Sequence, residues 1–407
     1  MTDFSVKGMG SAYAGTTAGA DEAATIYWNP AGMTRLEGIN LQGGGAYVDF
    51  RSRFRDGGSS QTLLANPGPP PVFATVPSAG EDDNADGSFV VPNGYLTVPV
   101  GDSVTLGVGV HVPFGLETKY GADWIGRYHA IESSLTSVNI NPSIAYRINE
   151  RWSVGAGVSA QYVDATLSRA LFTGGSDGRV KLKGNDWAAG FNLGVLFEPS
   201  DQTRFGLSYR SATDHEINGT RTLSGLGFPF DGQVDAKVPL ELPQSLALGF
   251  RHRIRHGLTL MGDATWTGWS SFDELRVSFQ DGSPDDVTVS DWNDNWRFSL
   301  GLEYGVSSAW SLRGGVMYDQ TPIPGAEERT PRIPDSDRTW IAIGATWHQS
   351  RNLAVDLAYT HLFFDDAELR NTIDLAPSVT PGAFTDTLVG KYDNSVDALA
   401  LELRYMF

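Results

Sequence analysis

The last twelve residues, "VDALALELRYMF", alternate without a slip. Leu399, Leu401, Leu403, Tyr405 and Phe407 fall on one side of an extended chain, and Ala398, Ala400, Glu402, Arg404 and Met406 on the other. That two-residue period belongs to a strand with two unlike faces. It returns in "RFSLGLEY", where Phe298, Leu300, Leu302 and Tyr304 oppose Arg297, Ser299, Gly301 and Glu303, and again in "TWIAIGATWHQS" and "VDLAYTHLF". A helical period is hard to find after residue 38. A soluble sandwich also alternates, but it buries its apolar face and rarely sets aromatic residues at so many strand ends. Apolar faces turned to lipid, with girdles of Trp, Tyr and Phe at the two interfaces, describe a transmembrane barrel.

Turn spacing gives the strand count. Short polar turns stand at 100–104, 148–153, 198–204, 253–258, 305–310 and 348–353, and these six separate seven segments. Each segment has room for two tilted strands of about 9 to 11 residues and one longer loop. Seven hairpins predict an all-β fold, a fourteen-stranded antiparallel transmembrane barrel over residues 39–407. The longer connections, such as "RDGGSSQTLLANPGPPPVFATVPSAGEDDNADGS" and "DDAELRNTIDLAPSVTPGAFTD", are acidic or rich in Pro and Gly. They read as loops on the outer face, with carboxylates at solvated tips.

Residues 1–38 stand apart. They are rich in Gly and Ala and allow at most a short helix around 19–27 before "NPAG". Pro30 fixes its own φ and pushes Asn29 out of the helical region, so Asn29, Pro30 and Ala31 form a rigid turn. A segment this small cannot make a core of its own. It is expected to lie inside the barrel as a hatch, with the turn ending the plug and sending the chain into the first strand, "INLQGGGAYVDF".

Composition removes several function classes. The chain holds 30 Lys and Arg against 48 Asp and Glu, a net charge of −18, which argues against nucleic acid as a partner. It holds no Cys, so disulfides and Cys-ligated metals are excluded. No stretch of about 18 apolar residues forms a membrane helix. The start "MTDFSVKGMG" lacks a secretory signal, so a signal is expected to have been removed if the chain is exported. No Walker loop is present, and neither an enzyme activity, a cofactor nor a metal is expected.

The start "FSVKGMGSAYAG…ADEAATIYWNPAGMTRLEG", with "LPQSLALGFRH", "TWTGWSSFDEL", "LRGGVMYDQTPIP", "IPDSDRTW" and terminal Phe407, resembles the outer-membrane long-chain fatty acid transporter family. That family also includes aromatic-hydrocarbon channels. The resemblance implies a monomeric, hatch-plugged barrel in the bacterial outer membrane, surrounded by lipid and lipopolysaccharide and assembled by the barrel machinery through Phe407. It implies passive uptake of hydrophobic molecules, long-chain fatty acids first and neutral hydrocarbons as the alternative. A general diffusion porin is a further alternative, though it needs no plug.

Site residues follow from the same resemblance. Cargo is expected to leave sideways beside a kinked third strand, "SVTLGVGVHVPFGLETKY", with Gly115 at the family's kink glycine. Pro113 lacks a donor and Gly115 permits an irregular backbone; the two could equally only end a strand at its loop. Arg169 in "DATLSRALF" matches an arginine that some fatty-acid members direct at the ligand. Where those members carry a lysine ahead of the eleventh strand, this chain has Asn293. The third outer loop, about 170–184, is short. Asp335, Asp337 and Arg338 are expected to form an ion-pair cluster holding the hatch or a loop.

Overall fold

Fourteen antiparallel strands form one continuous ring in the computed structural model, which describes residues 5–66, 68, 71–174, 176–376 and 382–407. In chain order they are β1 (Asn40–Asp56), β2 (Gly87–Val100), β3 (Val104–His111, then Gly115–Lys119), β4 (Glu132–Arg147), β5 (Trp152–Leu171), β6 (Gly178–Ser200) and β7 (Thr203–Arg210, then Thr213–Ser224). There follow β8 (Gly232–Leu242, then Ser245–Arg255), β9 (Leu258–Thr267, then Glu274–Phe279), β10 (Asp286–Val289, then Asn295–Gly305), β11 (Trp310–Asp319), β12 (Arg338–His348), β13 (Leu353–Phe364, then Ala367–Asp374) and β14 (Thr385–Met406). The ring closes where β1 pairs with β14, from Asn40 opposite Met406 to Asp56 opposite Gly390. All six short turns lie where the sequence places them.

The alternation is inside out relative to a soluble protein. On β14, Leu399, Leu401 and Leu403 are 60%, 52% and 52% exposed, whereas Ala398, Ala400 and Glu402 are 1%, 2% and 0% exposed. Apolar side chains face outward and polar ones line the lumen, the arrangement that lipid selects and water forbids. Exposed Tyr146, Trp152, Tyr304, Trp310, Trp347 and Tyr405 gather beside the short turns, and Tyr47, Trp187, Trp296 and Tyr359 lie further along the strands. No helix among the described residues is long and apolar enough to cross a membrane; the strands do the crossing.

Several strands are longer than a membrane requires: β5 has 20 residues and β6 has 23. They run on past the lipid into the outer loops. The first long connection, expected as a polar loop, contains a hairpin of Ser60–Asn66 and Val72–Pro77 whose stem pairs with β14. Likewise "AELRNTID" extends β13 as a strand. Part of that second connection, residues 377–381, lies outside the described residues. Asn293 precedes the second half of the tenth strand rather than the eleventh.

The N-terminal segment differs in detail from its sequence expectation. In place of one helix over 19–27 there are α1 (Val6–Met9), α2 (Thr25–Trp28) and a 3-10 turn over Pro30–Arg35. The many small residues cannot sustain a longer helix, and Pro30 starts the 3-10 turn with Asn29 as its cap, the Asn29 side chain accepting from the Ala31 N–H. The turn therefore sits within the segment and does not end it. Polar groups of the segment meet the inward face all around the ring. The Thr17 N–H donates to Asp263 on β9, the Ala24 N–H to Gln42 on β1, and Asn29 Nδ2 to the Val195 carbonyl on β6. Thr34 bonds Ser153 on β5, and Thr360 on β13 donates to the Met9 carbonyl.

Candidate functional site: an apolar cavity beside a broken strand

The inward residues of β5, read from its short turn upward, change character step by step. Ser153 and Gly155 face the N-terminal segment, where a side chain at Gly155 would lie 2.4 Å from the Ala31 nitrogen. Gly194 on β6 is under the same constraint from Asn29 and Pro30. Two glycines in the wall thus make room for the rigid turn. Higher on β5, Gln161 joins a buried polar layer: its Oε1 accepts from His215 Nε2, and the other ring nitrogen of His215 meets Asp186 at 3.1 Å. Above that layer the lumen turns apolar. Val163, Ile217, Leu240 and Leu242 pack together, and over them opens a cavity of about 130 Å³ lined by side chains such as Leu116, Leu135, Leu167, Leu182 and Phe272.

The cavity abuts an irregularity in β3. The first half of β3 pairs with both neighbours, from Val104 opposite Val100 to Val110 opposite Gly94 on β2. Residues 112–114 leave the ladder, and Gly115–Lys119 then pairs with β4 alone. On the other side, Gly87–Asn93 of β2 pairs with β1 but has no ladder partner toward β3 among the described residues. Pro113 falls in the break and Gly115 opens the second half. A Cβ on Gly115 would meet nothing within 4 Å, so the space beside it is open. Phe114 packs edge-on against Trp269 at 6.1 Å, and Trp269 and Phe272 both pack on Trp292, at 5.0 and 4.9 Å. An aromatic wall therefore runs from the cavity to the break.

Arg169 stands on the inward face of β5, two residues above Leu167. Its guanidinium is engaged by Asp286 at 3.2 Å, and it does not line the cavity. Asn293 donates its N–H to the Pro322 carbonyl and lies at the foot of the loop that joins β11 to β12. Arg338 pairs with Asp335 and with Asp319, the latter at 2.8 Å, while Asp337 accepts from the Thr321 N–H and the Tyr318 hydroxyl. The partners of Asp337 are thus neutral, and Asp319 supplies the second carboxylate of the ion pair. Thr321 also donates to Asp335. All these partners belong to the stem of the β11–β12 loop, none to the N-terminal segment.

That loop carries a residue that the sequence did not single out. Arg332 lies between Pro331 and Pro334, and its side chain reaches the cavity. Thr118 and Tyr120 donate to the Arg332 and Pro331 carbonyls at 3.2 and 2.8 Å, and Asn394 donates to the Pro334 carbonyl. The guanidinium donates to Ser133 Oγ at 3.0 Å and to the Glu132 carbonyl. Burial, with Arg169 nearby, draws its pKa down to about 10, opposed by Asp286, so it remains charged at neutral pH. An arginine fixed between two prolines ahead of "IPDSDR" was the available signal.

The model of a family described as outer membrane protein transport protein (OMPP1/FadL/TodX) matches residues 1–407. Outer membrane protein P1 of Haemophilus influenzae is 30% identical over 392 residues, covering 89% of this chain and 85% of that protein. The long-chain fatty acid transport protein of Escherichia coli K12 is 26% identical over 405 residues, covering 89% and 86%. Among solved structures, a Pseudomonas aeruginosa FadL homologue shares the fold with a TM-score of 0.87 at 24% identity, over 98% of this chain and 97% of that one. The toluene transporter TodX of Pseudomonas putida gives 0.70 at 18% identity, over 98% and 99%.

Proposed function

Because the chain belongs to this family of outer-membrane transport proteins, we propose that it takes up hydrophobic molecules into the apolar cavity and releases them through the wall beside the broken third strand. The observation that carries the proposal is the continuity of apolar surface from the cavity, through Phe272 and Trp269, to Phe114 and the break. An apolar cargo gains about 0.8 kcal/mol for each CH₂ removed from water, which a water-filled pore cannot supply. Residues 5–38 act as the hatch that denies a direct aqueous path, and the protein works as a monomer.

Long-chain fatty acids are the first class of cargo, in keeping with the relative of that name in Escherichia coli and with the cations at the upper rim of the cavity. Neutral hydrocarbons of single-ring size are the second, favoured by the cavity's volume: about 130 Å³ is close to the roughly 150 Å³ that holds a benzene molecule in an engineered apolar cavity. The two are separated by measuring binding of palmitate, hexadecane and toluene to the purified protein. Preference for palmitate supports the first class, and preference for toluene the second. Binding of none of them would remove both.

A further inference from the structure

We propose that Arg332, on the loop between β11 and β12, is the residue that receives the carboxylate of an acidic cargo while its hydrocarbon tail occupies the cavity. The inference rests on the uptake of hydrophobic molecules proposed above and adds to it the contact that would distinguish an acid from a neutral molecule.

Charge arrangement makes the case. Two cations stand above the cavity on its own side of the wall: Arg332, which lines it, and Arg169. They meet one carboxylate, Asp286, which Arg169 engages at 3.2 Å. Glu132, Lys181 and Arg179 alternate with the cavity-lining Ser133 and Leu182 and pair with one another on the opposite face. The balance beside the cavity is 2 − 1 = +1, in a chain whose total is −18. No carboxylate among the described residues lies within 4 Å of Arg332; its partners are a serine hydroxyl and a main-chain carbonyl. A guanidinium beside apolar walls, with only neutral partners, gains a charge-assisted and potentially bidentate bond when a carboxylate arrives. Arg169 is already held by Asp286 and contributes field rather than contact.

The backbone around Arg332 is built to hold position. Prolines on either side restrict the chain, Thr118 from the second half of β3 anchors its carbonyl, and the ion pair of Arg338 with Asp335 fixes the loop's stem. The same half-strand supplies Leu116 to the cavity. A headgroup at Arg332 would therefore leave the tail next to Leu116, with the break in β3 beside it.

The test compares palmitate with its methyl ester, which has the same chain and no charge, on the full-length protein in detergent. Arg332→Met, which keeps the stem and removes the charge, should weaken palmitate binding by about ten- to a hundredfold and leave the ester within about twofold. Arg332→Lys should recover part of the loss, because charge returns without the planar fork. Asp286→Asn should act the other way and tighten palmitate binding, since it releases Arg169 and raises the local charge; Asp286 is 42% exposed, so the fold survives the change. An unchanged ratio of acid to ester in Arg332→Met, with Asp286→Asn also neutral, overturns the assignment. If the parent binds neither compound, the proposed uptake itself fails, and if it binds both equally, only the carboxylate contact is lost.

Discussion

Asn29 shows how much one side chain can organise. Its oxygen accepts from the Ala31 N–H and caps the 3-10 turn, while its nitrogen donates to the Thr17 carbonyl inside the segment and to Val195 in the wall. It is fully buried, so each abandoned partner costs on the order of 1 to 3 kcal/mol. Asn29→Ala is predicted to leave the barrel assembled, because no ladder bond is touched, but to loosen the N-terminal segment from β6. The measurements are entry of a small antibiotic into intact cells and protease cleavage within residues 5–38, both of which should rise. Unchanged permeability and protection in the variant would show that the turn does not hold the segment.

At the scale of elements, strand order and turn positions were legible because lipid outside and polar groups inside impose a strict period of two. The six turns fall where polar runs interrupt that period. Less legible were the paired strands Ser60–Asn66 and Val72–Pro77 and the upper half of β13, since above the membrane the outward face no longer has to be apolar and the alternation fades. The short helices near Val6 and Thr25 escaped for another reason: their stability comes from the wall around them and not from their own sequence. Arg332 was hidden because its partners, Ser133 and Thr118, lie about 200 residues away in sequence. Arg169 was picked out through resemblance, and its partner Asp286 could not be read from sequence. Gly115 was picked out through resemblance, and the element to which it belongs yields the next prediction. A Trp there points into open space beside a half-strand paired on one side only, so Gly115→Trp should insert and fold normally while hydrophobic uptake falls about tenfold or more, the fate of a blocked route. Full uptake in a folded variant would discard release at this break.

For the whole molecule, the question is whether the ring conducts. The N-terminal segment bonds to strands on all sides, and ion pairs to the wall tie it in place: Asp21 to Arg251, Lys7 to Glu303 and Arg35 to Glu198. A barrel of fourteen strands without such a filling would carry ions steadily. In planar bilayers the intact protein is predicted to show only small, infrequent openings, and deletion of residues 5–35 to give large, stable currents. Steady large currents from the intact chain would return it to the class of diffusion porins.

The one-sided pairing of Gly115–Lys119 also fixes a depth. Main-chain N–H and C=O groups left without partners cost several kcal/mol each in hydrocarbon, so the free edges of β2 and β3 are tolerable only where water or headgroups can reach them. Exposed Glu117 and Lys119, two and four residues above Gly115, are side chains that hydrocarbon would also refuse. The proposed doorway would therefore stand at the rim of the outer leaflet, and cargo released there would enter the membrane tail-deep and head-high, already oriented as a lipid. Because the chain has no cysteine, a single spin label at Gly115→Cys reports that depth without background: a label at the headgroup rim confirms the doorway's position, and one at the bilayer centre would contradict it.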